Sequence, residues 1–138
     1  MPPPRLPNRS RFLWLLQLSL VAGAVYDLFF AGLMVLSPEL PQRMLELRPP
    51  GDAFYLWLIA VFLTMLAFFY LFTAYDPVSY EGNVLVAIGG RLLGAAVMGF
   101  AAWRDPSLWG LWALAAGDAF FGVAHAAFYL PLRPLVTH

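Results

Sequence analysis

Long apolar runs bounded by Pro, Gly or charge divide the chain into four stretches, residues 12–36, 53–75, 84–103 and 107–130. A helix crosses the hydrocarbon core of a bilayer with about 20 mostly apolar residues, and each stretch meets that length. Strand-like alternation is absent from all four, so the pattern predicts an all-α integral membrane protein. The expected architecture is a four-transmembrane-helix antiparallel bundle forming one domain. In the fourth stretch Asp118, Gly122, His125 and Tyr129 fall at i, i+4, i+7 and i+11, which places them on one helix face.

The segments between the runs are short and polar. Residues 1–11 hold four Pro and three Arg and read as an extended, non-helical lead-in. Arg5, Arg9 and Arg11 ahead of an apolar run and Ala22-Gly23-Ala24 have the layout of a secretory signal. The run continues to Leu36, beyond the length of a signal core, so the first span is expected to be retained. After it, Ser37-Pro38-Glu39 resembles a helix start, and Leu40, Met44, Leu45 and Leu47 intersperse with charge. A short amphipathic segment lying in the interface is expected there. Pro49-Pro50-Gly51 ends it, and Asp52 is placed to cap the next helix. Tyr55, Trp57, Tyr70 and Tyr75 read as interfacial belt residues.

Composition strengthens the membrane reading. Of 138 residues 62% are hydrophobic and only 12% charged, and the formal net charge is zero. No field for nucleic acid follows from that balance. Cys is absent, which excludes disulfides, thiolate chemistry and Cys-based metal sites. Four spans put both termini on one side. The three Arg ahead of the first span favour the cytoplasmic side of a cell inner membrane.

Three formally charged residues interrupt the runs: Asp27, Arg91 and Asp118. The helical rise puts Asp118 near mid-span, Arg91 about 4 Å to one side and Asp27 about 4 to 5 Å to the other. An Arg side chain reaches that far, so an Arg91–Asp118 pair between adjacent helices is expected. Asp27 is then a second acceptor for Arg91 or a protonated carboxyl. His125 lies about 10 Å along the helix from Asp118, too far for contact, with room beside Arg91. Asp27, Arg91, Asp118 and His125 thus form the candidate buried polar network. Gly90 and Gly94, four apart, are expected to face another helix, with Gly23 and Gly122 as further close-packing positions.

The plainest role for such charges is structural, fixing helix register. The rival is a polar cavity or a proton path, the usual meaning of ionisable groups within a membrane. A phosphate loop, a metalloprotease helix and a nucleophile elbow are all missing. With His138 the only other His, a haem held by two His of one chain is not expected. Contact with lipid, quinone or pigment stays open.

Tyr26-Asp27, Ser37-Pro38, Asp76-Pro77, Gly90-Arg91 and Gly117-Asp118 together resemble the layout of small four-helix bacterial membrane proteins of the DoxX-like type. That resemblance implies the fold. Some members are linked by name to quinone-dependent sulfur oxidation, and nothing in these residues points to a thiosulfate site. Two functions are therefore expected. The first is a non-catalytic accessory subunit of a larger energy-transducing membrane complex, with lipid and other membrane subunits as partners. The alternative is a small carrier or redox partner that binds a lipophilic molecule such as a quinone through Arg91, Asp118 and His125.

Overall fold

The computed structural model describes residues 9–48 and 51–135, and every regular element among them is helical. Four helices are long and apolar enough to cross a membrane: α1 (Arg9–Leu36), α3 (Phe54–Tyr75), α4 (Glu81–Arg104) and α5 (Leu111–Tyr129). A short helix, α2 (Glu39–Met44), follows α1. Single 3₁₀ segments flank α5 at Pro106–Leu108 and Leu130–Leu135.

The long helices form two tight pairs, α1 with α3 and α4 with α5. Leu16, Leu20 and Ala24 recur every four residues on α1 and meet Ala67, Tyr70 and Ala74 of α3. Large side chains of one helix enter spaces left by the small residues of the other, as close packing requires. The α4–α5 pair closes by a different route. A Cβ at Gly99 would lie 3.3 Å from Trp112, and one at Gly122 would lie 2.9 Å from Leu92 Cδ2. Only the absent side chain lets these helices approach so far. α1 packs on α5 to join the pairs, whereas α3 and α4 scarcely touch, and a cleft remains between them.

The connections tie down both ends. Asp52 Oδ1 accepts a hydrogen bond from Phe54 N at 2.9 Å and caps α3. Glu46, at φ 49°, takes the left-handed conformation that reverses the chain after α2. Its carboxylate accepts from Trp109 Nε1 at 3.2 Å. A Cβ at Gly110 would overlap the Leu45 backbone, so the two connections meet where only glycine fits. Asp105 accepts from Ser107 N and Ser107 Oγ, and these bonds with Arg48 nearby hold its carboxyl below the usual range. At the opposite end Ser79 does the same for Asp76.

Several expected boundaries shift. Arg9, Ser10 and Arg11 belong to α1 and correct the expected non-helical lead-in there, while residues 1–8 of it lie outside the described residues. The third span begins at Glu81, three residues early, by recruiting a polar first turn. The fourth begins at Leu111, because Asp105 caps a separate 3₁₀ turn before it. Ser37 makes no side-chain cap, and α2 starts from Pro38.

Candidate functional site

Arg91 is 5% exposed and sits where all four long helices converge. Its Nη1 donates to Asp118 Oδ1 at 2.6 Å. Its Nη2 lies 2.9 Å from both oxygens of Asp27 and 3.1 Å from the Gly23 carbonyl. The guanidinium fork therefore ties α1, α4 and α5 together, a task its planar set of donors suits and a Lys ammonium does not. Aromatic rings cover its faces. Tyr70 of α3 lies 4.9 Å from Cζ, Phe121 of α5 5.3 Å and Tyr26 of α1 5.6 Å.

Glycine makes room for this cluster. A Cβ at Gly94 would lie 2.5 Å from Asp118 Oδ2, so the carboxylate occupies space that any other residue would fill. Gly23 is in ordinary contact with Arg91 Nη2 and the His125 ring. Gly90 corrects the expected stripe. It is exposed, nothing lies within 4 Å of its Cβ position, and it lines a cavity instead of facing a helix. Gly90 and Gly94 are about 40° apart around the helix, enough to separate a packed edge from an open one.

His125 stands apart from the three charges. Fully buried, it contacts Ser19 Oγ through Nδ1 at 3.0 Å. The single Ser19 hydroxyl proton goes to the Leu16 carbonyl at 2.9 Å, so Ser19 Oγ accepts and His125 Nδ1 carries hydrogen. Nε2 is buried and has no partner among the described residues. The charged cluster holds a matching orphan, the buried Nε of Arg91. The structure brings Asp27, Arg91 and Asp118 into one hydrogen-bonded unit and leaves His125 outside it, hydrogen-bonded to α1 instead.

A cavity of about 340 Å³ fills the cleft between α3 and α4. Ile59, Leu63 and Leu66 form one wall, and Val86 and Gly90 the other. Pro41 and Leu45 close one end, so the short helix after α1 serves as a cap on the cleft. Asp27, Arg91 and Asp118, with Tyr26 and Tyr70, supply the polar patch in its lining. No group of three His, Cys, Asp or Glu among the described residues could hold a metal ion.

Tyr70 is the residue that sequence reasoning misassigned. Expected in an interfacial belt, it is 2% exposed beneath Arg91. The available signal was its register, for Ala60, Ala67, Tyr70 and Ala74 share one face of α3. Phe121 and Ser19 carried no comparable signal.

No protein-family model matches this chain, and no curated protein or solved structure matches it either.

Proposed function

We propose that this chain is a multi-pass inner-membrane protein, an antiparallel four-helix bundle, that binds a lipophilic molecule taken from the bilayer in the α3–α4 cleft. The cavity carries this reading. It is large enough for a small ligand, its walls are apolar, and its polar patch lies deep between the helices. Phe62, Phe72, Val97 and Phe120 are exposed on the outer helix faces, a surface that suits lipid and would be costly in water. The weak α3–α4 contact offers a lateral way in. The DoxX-like resemblance, with its link to quinone-dependent chemistry, points the same way. The Arg residues ahead of the first span support a cytoplasmic side for both termini.

The accessory-subunit reading takes second place, because a packing scaffold has no use for a polar-lined hollow. One observation favours it. An apolar groove between α1 and α3, bordered by Leu28, Gly32, Trp57 and Val61, is open on the outer face. Gly90→Trp tests the order of the two. Nothing lies within 4 Å of the Gly90 Cβ position, so the indole has room to enter the cavity. The full chain, purified in mild detergent, should carry a lipophilic molecule that this variant loses at unchanged helical content. A chain that carries none and purifies only within a larger complex would reverse the ranking.

A further inference from the structure

The charges in the cavity lining do not cancel. Two carboxyls, Asp27 and Asp118, face one guanidinium, Arg91. The titratable groups around the cavity are Tyr26 and Asp27 from α1, Tyr70 from α3, Arg91 from α4, and Asp118 with His125 from α5. No Lys exists in the chain, and no second Arg lines the cavity among the described residues. His125 lies against the same Gly23 as the Arg91 guanidinium and is counted as the neutral imidazole. With both carboxyls ionised, the site holds one negative charge in excess.

The free valence of the site has the same sign. Nη2 of Arg91 is spent on Asp27 and Gly23, Nη1 donates one hydrogen to Asp118, the guanidinium faces are covered by three rings, and Nε is buried. The donors left to an anionic head are the Tyr26 and Tyr70 hydroxyls and the Gln42 amide, and the two carboxylates beside the guanidinium repel it. Asp118 Oδ2 accepts no hydrogen bond among the described residues, and its side chain keeps 16% of its surface open. Tyr26, Phe30, Phe69 and Tyr70 add π faces to the lining. A carboxylate beside aromatic faces in an apolar cleft suits a cation that can leave water.

Resting on the reading that the cleft binds a lipophilic molecule, we infer that this molecule is a hydrophobic monovalent cation, an organic ammonium or phosphonium, and that it exchanges with a proton. In the empty site the excess charge is balanced by a proton on one of the two carboxyls. The cation enters as that O–H bond breaks and the proton leaves, so charge inside the bundle is conserved.

Tetraphenylphosphonium and tetraphenylborate share a shape and differ in sign. Binding of each to the purified full chain in maltoside, beside a neutral short-chain quinone, tests the proposal. The phosphonium should bind at least about tenfold tighter than the borate. Its apparent affinity should fall about tenfold for each unit of pH decrease where protons compete, with one proton released per cation bound. Asp118→Asn and Asp27→Asn each remove the excess charge and should each abolish the preference, although Asp27 is buried behind the guanidinium. Equal binding of the two ions, or a preference kept by folded variants, overturns the inference. Quinone binding without any preference for the cation overturns it while leaving the carrier reading in place. If none of the three probes binds, both readings fall. The comparison of ions on the native chain decides even if neither variant folds.

Discussion

The two helix pairs are built on different terms. α1 and α3 interlock through Leu and Ala, with no charge on α3 and no cation on α1 beyond its first turn. Asp27 is therefore a carboxyl without a partner in its own pair. α4 and α5 close on glycine and contain both members of an ion pair, Arg91 and Asp118. One pair is complete in its polar groups and the other is not. The junction between them is accordingly electrostatic at its centre, and the cavity lies where the second pair reaches across to the first.

The largest effect should come from removing the cation that serves both pairs. Arg91→Ala strands two carboxylates and should cost about 3 to 5 kcal/mol. Adding Asp118→Ala should recover part of that loss, and adding Asp27→Ala as well should recover more. Thermal unfolding in detergent checks the series, and identical midpoints for the single, double and triple variants would remove the three-residue unit. Next in size is Gly94→Ala, which pushes a methyl into Asp118 and should cost about 1 to 3 kcal/mol. Gly90→Ala, one turn away, should leave the melting midpoint in place, and equal damage at both sites would show that the two edges of α4 are alike. Within the first pair, Gln17→Leu deletes only the bond from Gln17 Nε2 to the Ala74 carbonyl at 3.0 Å. A change of about 0.5 to 1.5 kcal/mol is expected, measured by the same melt. The smallest effect is at the exposed turn before α5. Asp105 is held below its ordinary value of 3.8, so its contribution is complete above that pH and fades as pH falls through the lower folded value. Asp105→Asn should flatten that acid-side slope, and a slope unchanged by the substitution would assign it to another group.

The spans and the charged cluster were legible because they depend on run length and on rise per residue. Asp27, Arg91 and Asp118 were placed at compatible depths by arithmetic alone, and the structure joins them. The role of each glycine was not legible. Gly90 and Gly94 look alike in a stripe of small residues, and only the position of Asp118 on α5 distinguishes them. Tyr70 was hidden for a related reason. An aromatic near a span end serves a belt or a buried cation equally well, and rotation about the helix axis decides between them. The hollow between α3 and α4 could not be read at all, since a cavity is set by which helices fail to touch.

The order in which the pairs are synthesised has a consequence for biogenesis. On the proposed membrane placement, the first pair emerges from the ribosome and enters the bilayer before Arg91 exists. Asp27 must then be inserted alone, at about 2.5 to 3.5 kcal/mol if ionised. The second pair arrives with its own counter-charge and inserts without that handicap. A nascent chain halted in the turn between Asp76 and Tyr80 is thus a hairpin with an unmet carboxyl, the species most exposed to quality control. Supplying the second hairpin as a separate polypeptide should rescue it, provided that Arg91 is present.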